Sequence, residues 1–279
     1  MNVSLAYLGP PGTYSEAAAL SYVKQARTRT GMEYLLCPYP SIAQTLQAVA
    51  GGEVQIAVVP VENSIEGSVT VTLDTVWQLD KLRIQEALVL PISHALISPM
   101  ESLSQIKTIY SHPQALAQCQ GWLEQFLPQV QLIPTNSTTE AVRQLEEDPE
   151  AGAIASCRAA ELYEMPIAAY PINDSPDNCT RFWVVSLQPS PGGSHTSLAF
   201  TVPANVPGSL VQPLQVFAQR NINMSRIESR PTKRSLGDYL FFIDLEADTR
   251  TAIVQSALEE LKGYTNILKI FGSYSIVQG

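Results

Sequence analysis

The residues Asn178-Cys179-Thr180-Arg181-Phe182 bring a hydroxyl, a guanidinium and an aromatic ring together. They follow a polar loop and begin an apolar run that predicts a strand. A hydroxyl beside a fixed positive charge suits a site that binds a carboxylate and protonates a leaving group. Thr-Arg-Phe alone is a weak motif. It gains weight because other strand-to-helix turns in the chain offer similar anion-binding chemistry.

Three such turns, at 9–16, 59–68 and 110–116, place polar side chains where a predicted strand ends. Ligands of α/β sheets bind at the carboxyl ends of parallel strands, and the amides of a helix start can hold a carboxylate. Plain helix capping explains the first turn equally well. His112 is a candidate general base, but a capping or surface role explains it at least as well. The side chains expected to reach a ligand are Thr13, Ser15, Asn63, Ser64, Ser111 and Gln114.

Two segments nearer the C-terminus form a second candidate site. One opens a predicted helix and the other ends a predicted strand. Glu228 and Arg230 could grip the two charged ends of an amino acid, although a surface ion pair explains their spacing as well. The residues of the two segments are Gly208, Ser209, Leu210, Val211, Glu228, Ser229, Arg230 and Pro231.

The charge of the chain is unevenly distributed. The 279 residues are 45% hydrophobic and 15% charged, which excludes disorder, and the net charge of −9 argues against nucleic acid or an anionic membrane as partner. Residues 190–279 hold 8 Lys and Arg against 7 Asp and Glu, whereas residues 1–189 hold 9 against 19. An anion bound by the first part therefore needs local donors such as helix starts, hydroxyls, amides and one arginine.

The cysteines and histidines show no metal-binding pattern. The four cysteines are widely spaced without a Cys-x-x-Cys motif, and the three histidines have no metal-ligand spacing. We expect reduced thiols, no metal and no cofactor. The first residues do not resemble a signal peptide, and no apolar run approaches the ~20 residues of a membrane helix, so we expect a cytoplasmic protein.

The order of predicted elements indicates an α/β protein of two domains. A Pro/Gly/Ser stretch near 188–194 reads as a linker between domains at 1–188 and 195–279. Strands and helices alternate in the first domain, which predicts mainly parallel sheets in two lobes with a cleft between them. One helix is expected from Pro113 to about Phe126. The second domain reads βαββαβ, a ferredoxin-like plait.

The chain resembles the prephenate dehydratase family, in its monofunctional bacterial form, over nearly its whole length. Five motifs carry the resemblance: Gly-Pro-Pro-Gly-Thr-Tyr-Ser at 9–15, Pro-Val-Glu-Asn-Ser-Ile-Glu-Gly at 60–67, Ser-His-Pro-Gln-Ala-Leu at 111–116, Asn-Cys-Thr-Arg-Phe at 178–182 and Ile-Glu-Ser-Arg-Pro at 227–231. The family implies a two-lobed catalytic domain, similar to periplasmic binding proteins, and an ACT domain that senses phenylalanine. Tyr14, Ser209 and Met224-Ser225 depart from the usual pattern.

The resemblance also implies a reaction and roles for residues. Prephenate would lose CO₂ and water to give phenylpyruvate, a carbon–oxygen lyase reaction in phenylalanine biosynthesis. The catalytic residues would be Thr180, Arg181, Asn63 and Gln114, and the substrate-binding residues Thr13, Ser15, Ser64, Ser111 and Phe182. L-Phenylalanine would bind the residues of the second candidate site, between subunits of a homodimer or homotetramer. Two alternatives remain open: a preference for arogenate, and a solute-binding protein without activity.

Overall fold

The computed structural model describes residues 2–279 and begins with an α/β lobe, lobe one. Its sheet has three parallel neighbours in the order β2-β1-β3, followed by the antiparallel β11 and then β5. The strands are β1 (Asn2–Leu8), β2 (Glu33–Tyr39), β3 (Ile56–Asn63), β4 (Gly67–Ser68), β5 (Arg83–Pro91) and β11 (Cys179–Ser186), and the helices are α1 (Tyr14–Thr30), α2 (Ile42–Ala50) and α3 (Thr70–Gln78).

Lobe two is inserted between β5 and β11. Its sheet runs β10-β6-β9-β7-β8, with β8, β7 and β9 parallel and β6 antiparallel to β9. Its strands are β6 (Ala95–Ile97), β7 (Thr108–Ser111), β8 (Gln131–Pro134), β9 (Ala151–Ala155) and β10 (Ile167–Ala169). Its helices are α4 (Pro113–Ala117), α5 (Gln120–Phe126), α6 (Thr138–Gln144) and α7 (Cys157–Leu162), with a short 3₁₀ helix at Leu103–Gln105.

The C-terminal unit, called the plait below, has the predicted order βαββαβ. Its elements are β12 (His195–Thr201), α8 (Val211–Ala218), β13 (Met224–Pro231), β14 (Tyr239–Leu245), α9 (Ala252–Lys262) and β15 (Ile267–Gln278). Both helices pack on one face of the sheet through apolar side chains such as Val216, Phe217, Val254 and Leu258. The prediction of two lobes followed by a plait is confirmed.

The plait and lobe one share a sheet and a hydrophobic core. The end of β15 pairs in parallel with β5, so that a ten-stranded sheet runs through both units. Plait residues Phe242, Phe271 and Tyr274 belong to the same buried cluster as Trp183 and Ile84 of lobe one. Movement of the plait relative to lobe one would therefore disturb the sheet that carries β11. Between residues 2 and 279, no helix combines the length and apolarity that crossing a membrane requires.

The structure differs from the predicted elements most clearly at β2, at α3 and over 113–126, and the short elements β4, β10 and the 3₁₀ helix were not predicted either. The edge strand β2 was not predicted, because Pro38 interrupts its pattern. Helix α3 was not predicted either, since its sequence is rich in β-branched residues and Val69 provides no side-chain cap. The helix expected over 113–126 is broken into α4 and α5, because the Asp174 carboxylate accepts the Gly121 and Trp122 amides, 2.9 and 3.0 Å away.

Candidate active site

A cleft of about 1080 Å³ lies between the two lobes. The carboxyl ends of β1, β3, β7 and β8 open into it, and the antiparallel strand β11 begins at the same edge. This is where ligands bind in open α/β sheets. Six of the predicted site residues line the cleft: Thr13, Ser15, Asn63, Gln114, Thr180 and Phe182.

Thr180 and Asn63 face each other across the β3–β11 ladder. The Asn63 Oδ1 atom accepts the backbone amides of Ile65 and Glu66, both at 3.0 Å, which fixes the amide group so that its nitrogen points to Thr180. Asn63 Nδ2 then donates to Thr180 Oγ1 over 2.9 Å. No described residue accepts the Thr180 hydroxyl proton, although only 8% of the residue is exposed. That proton is therefore available to a ligand in the cleft.

A buried hydrogen-bond network supports this pair from behind. Asn63 Nδ2 also donates to Asn178 Oδ1 over 2.8 Å, and Asn178 Nδ2 donates to Gln118 Oε1 over 2.9 Å. Gln118 lies 3.0 Å from His94 Nε2, and His94 Nδ1 lies 3.0 Å from the Tyr14 hydroxyl. Because Gln118 belongs to lobe two while Asn63 and Tyr14 belong to lobe one, the network joins the lobes at the base of the cleft.

The tautomer of His94 follows from its neighbours. Gln118 Oε1 is an acceptor, so Nε2 carries the proton. The Tyr14 hydroxyl donates its single proton to the Ser93 carbonyl oxygen over 2.7 Å and lies 3.0 Å from His94 Nδ1. Burial lowers the pKa of His94 below 6.5, against the opposing effect of the Gln118 hydrogen bond. His94 is accordingly neutral at pH 7. Tyr14, a departure from the family pattern, thus uses its extra hydroxyl at the hinge between the lobes.

None of Gln118, His94 and Asn178 was assigned a role from the sequence. Asn178 directly precedes the Thr-Arg-Phe segment, so its position was the available signal. Gln118 and His94 lie 24 residues apart and are partners at 3.0 Å, and Gln118 is the C-cap residue at which α4 ends. Gln118 thus lines the cleft at a helix break that the sequence pattern did not predict.

A second set of contacts holds the two lobes together at the first turn. Ser156 Oγ donates to the Gly12 carbonyl over 2.8 Å, and the Glu16 carboxylate accepts the Gly12 amide over 2.7 Å. Arg158 of lobe two lies 3.6 Å from the same carboxylate. Gly12 has φ +91° and its Cα faces Thr139 of lobe two closely, so a larger residue would be strained there. The predicted cap is present, since Thr13 Oγ1 accepts the Glu16 amide over 3.3 Å.

Three predicted site residues, Ser64, Ser111 and Arg181, do not line the cleft. Ser111 is fully buried and donates to the Ile154 carbonyl over 2.6 Å, which ties β7 to β9. Ser64 is exposed beyond the end of β3, where its hydroxyl accepts the Cys179 amide over 3.0 Å. Their hydroxyls are thus committed to backbone contacts, and the expected direct contact with a ligand has no support from their placement.

Arg181 points to the opposite face of the sheet from Thr180. Its guanidinium lies between Glu62 at 2.5 Å and Asp244 of the plait at 2.9 Å, and its side chain is only 12% exposed. Burial alone would lower the pKa of Arg181, but the nearby Asp244, Tyr274 and Glu62, with Asp244 contributing most, raise the pKa above its ordinary value. Asp244 also accepts from Ser197 over 2.5 Å. This placement gives Arg181 a role in joining lobe one to the plait rather than in contacting substrate.

The predicted effector residues contact lobe one within the same chain. Arg230 forms a bidentate pair with Asp74 of α3, with distances of 3.1 and 3.0 Å, and Lys233 adds a third contact at 2.6 Å. Burial raises the pKa of Asp74, but hydrogen bonds from Arg230 and Lys233 outweigh it and lower the pKa overall. Glu228 accepts from Ser68, which lines the cleft, over 3.2 Å. The other segment, Gly208–Val211, leads into α8 without a hydrogen bond to these residues in the described part of the chain.

The cysteines and acidic residues show no metal chemistry. Across residues 2–279, no group of three or more His, Cys, Asp or Glu side chains is arranged to hold a metal ion. Burial raises the pKa of the Cys119 thiol to about 12, so this cysteine is not a thiolate nucleophile. The chemistry of the cleft therefore falls to hydroxyls, amides and a few charged groups.

Comparison with known proteins identifies the family. Sequence models of prephenate dehydratase and the ACT domain match residues 5–190 and 196–263. The chain is 42% identical over 275 residues to a bifunctional chorismate mutase/prephenate dehydratase of Aquifex aeolicus, covering 98% of this chain and 73% of that protein. It is 36% identical over 282 residues to a prephenate dehydratase of Lactococcus lactis subsp. cremoris, covering 98% of each. A prephenate dehydratase from Arthrobacter aurescens, solved in complex with L-Phe, superposes with a TM-score of 0.87 at 36% identity, covering 98% of this chain and 90% of that one. The chain therefore belongs to the prephenate dehydratase family and carries a C-terminal ACT domain.

Proposed function

We propose that the cleft converts prephenate to phenylpyruvate, with Thr180 assisting the departure of the 4-hydroxyl group. The observation that carries this proposal is the Asn63–Thr180 contact, which engages the hydroxyl oxygen and leaves its proton directed at a ligand. In the reaction the C–C bond to the ring carboxylate breaks, its electron pair enters the ring, and the C–O bond at C4 breaks. The departing hydroxide takes one proton, so that a dianion and a proton become phenylpyruvate, CO₂ and water.

Threonine is a very poor acid, so its contribution is a strong hydrogen bond or a relay of a proton from water. The Asn63 amide stabilises negative charge on the Thr180 oxygen while the leaving group accepts the proton. The network through Asn178 and Gln118 holds Asn63 in this orientation without further rearrangement. Such positioning can contribute several kcal/mol to catalysis.

The remaining cleft residues have positioning roles. The Gln114 side chain lines the cleft and makes no hydrogen bond within residues 2–279, so it is available to the substrate. The Thr13 hydroxyl already caps α1, and the substrate would meet the helix start through Ser15 and the backbone amides. Phe182 is 1% exposed and supplies an apolar wall for the ring.

The direct test is phenylpyruvate formation from prephenate by the purified chain. We expect turnover that is independent of added metal. The two alternatives are separated by the same assay: faster turnover of arogenate, measured side by side, would favour an arogenate enzyme. Binding of either compound without turnover would leave only a binding protein and would overturn the proposal.

L-Phenylalanine is proposed as the effector of the ACT domain, with Glu228 and Arg230 gripping its amino and carboxylate groups. Support comes from the L-Phe complex of the Arthrobacter aurescens protein and from the position of the two side chains. Both side chains are engaged by Ser68 and Asp74, on either side of the start of α3. Phenylalanine would have to displace these contacts, and the cleft-lining segment 66–71 would respond. Turnover and thermal stability that ignore phenylalanine would exclude this regulation.

We further propose a homodimer or homotetramer in the cytoplasm, with the boundary between its domains at 188–195. Two apolar side chains are exposed at the predicted effector segments: Val211, the last residue of Gly208–Val211, and Ile227, directly before Glu228–Pro231. Exposed apolar side chains at this place suit a subunit contact. Light scattering with and without phenylalanine tests the assembly. A monomer under both conditions would contradict the proposed assembly.

Cell fractionation tests the proposed cytoplasmic location. Limited proteolysis tests the domain boundary, which predicts a cleavage site inside 188–195.

A further inference from the structure

The cleft is lined by one arginine, Arg143, that pairs with no other described residue. Among the described residues that line the cleft, Arg143 is the only lysine or arginine, whereas Glu66 and Glu140 are acidic. The Arg143 guanidinium has no hydrogen bond or ion pair within residues 2–279. The rest of the first 189 residues is strongly acidic, so an unpaired cation at this position stands out.

The neighbouring acid is not available to neutralise it. Glu140 lies one turn earlier on α6, but its carboxylate accepts the Asn136 backbone amide at 3.0 Å and the Asn136 side chain at 3.3 Å. These contacts hold Glu140 on the start of its own helix. Arg143 is therefore left facing the cleft with its full hydrogen-bonding capacity, and a guanidinium matches a carboxylate by two parallel hydrogen bonds.

We infer that Arg143 binds the pyruvyl carboxylate of the substrate, an inference that rests on the proposed function. Prephenate carries two carboxylates at C1, opposite the hydroxyl at C4. A guanidinium on the ring carboxylate would stabilise the group that must leave as CO₂ and would slow the reaction. A guanidinium on the pyruvyl carboxylate binds the ground state and the transition state equally. It raises affinity without opposing decarboxylation.

The positions of the two residues fit this orientation. Thr180 belongs to the sheet of lobe one, and Arg143 belongs to α6 of lobe two. A substrate that spans the cleft would present its 4-hydroxyl group to Thr180 and its C1 substituents to lobe two. Arg143 thus selects 2-keto or 2-amino acids attached to the ring, and it sets which end of the substrate meets the proton donor.

The test compares Arg143→Gln with the wild-type enzyme on prephenate. We expect KM to rise about tenfold or more with kcat changed less than about threefold, and Arg143→Lys to recover part of the loss. Lys24→Gln removes the same charge from an exposed position of α1 outside the cleft and should leave both constants unchanged. Equal thermal unfolding midpoints for these exposed-site variants show that folding is intact.

Product inhibition identifies which carboxylate is bound, because phenylpyruvate retains only the pyruvyl one. We expect the inhibition constant of phenylpyruvate to rise together with KM in Arg143→Gln. A rise in KM with unchanged product inhibition would assign Arg143 to the ring carboxylate and overturn the inference. An unchanged KM would overturn it as well. Absence of wild-type turnover would instead count against the proposed function.

Discussion

Consecutive rungs of one β-ladder behave differently in this protein. Thr180 pairs with Asn63, and the next rung pairs Arg181 with Glu62. The first rung faces the cleft, where the Thr180 hydroxyl proton has no protein acceptor. The second faces the plait, where the Arg181 guanidinium is paired with Glu62 and Asp244.

The difference separates the face of β11 that opens into the cleft from the face that contacts the plait. Side chains alternate across a sheet, so adjacent residues of β11 serve opposite faces. The cleft face keeps hydrogen-bonding capacity in reserve for substrate. The plait face uses the ion pair of Arg181 with Asp244 to hold two units together. A change on either rung should therefore have a distinct signature, loss of turnover on one face and loss of stability on the other.

The largest effect is expected at Thr180. Thr180→Ala removes the donor to the leaving hydroxyl and should lower kcat by about 10²-fold or more. Thr180→Ser keeps the hydroxyl opposite Asn63 and is the matched control, expected to retain most of the turnover. Steady-state kinetics on prephenate decides, and near-normal kcat for the alanine variant would remove Thr180 from the proposed role.

The next effect is expected on the opposite face. Arg181→Met leaves the buried Asp244 carboxylate without its closest cation and should lower the free energy of unfolding by about 3 kcal/mol. Arg27→Met removes an exposed ion pair with Glu33 and should cost less than about 1 kcal/mol. Denaturant unfolding measures both. Equal losses in the two variants would mean that the Arg181–Asp244 contact does not hold the plait to lobe one.

The contact between Asp74 of lobe one and Arg230 of the plait is expected to affect the response to phenylalanine. Because Arg230 is held by Asp74, Asp74→Asn should free it and lower the phenylalanine concentration for half response by about fivefold or more. Asp80→Asn, which breaks the exposed pair with Lys269, is the control. A response to phenylalanine that is identical in all three proteins would separate Arg230 from effector binding.

The smallest effect concerns pH and the hinge. Burial lowers the pKa of His94 in the folded chain below its ordinary value of 6.5. As the pH falls through 6.5, the unfolded chain therefore takes up a proton at this residue before the folded chain does. The contribution of His94 to stability is complete above that pH and declines as the pH falls below it. Unfolding midpoints at pH 7.5 and 5.5 should therefore differ less in His94→Gln than in the wild type or in the control His195→Gln. An equal acid loss in all three would place the effect elsewhere.

The cleft residues that belong to sequence motifs could be predicted from the sequence. Thr180 and Asn63 each stand at the end of a strand in a polar segment, and that position carries a clear signal. Gln118 and His94 carry none, because their partnership depends on where α4 ends and on how the lobes are joined. Arg143 belongs to no motif and is distinguished only by what surrounds it in space.

Arg181 teaches a different lesson. Its residue type suggested contact with a carboxylate, and it does contact two, but they belong to the protein. Strand alternation was the available signal, since placing Thr180 in the cleft places Arg181 on the other face. The plait was predictable from its order of elements. The pairing of β15 with β5 was not, because a linker pattern says nothing about contacts beyond it.

The most direct test measures turnover and unfolding on Thr180→Ala and Arg181→Met together. We predict that Thr180→Ala loses about 10²-fold in kcat at an unchanged free energy of unfolding. Arg181→Met should lose stability while its folded fraction retains turnover within about an order of magnitude. A stable Arg181→Met enzyme as inactive as Thr180→Ala would contradict the separation of the two faces and would return Arg181 to the catalytic site.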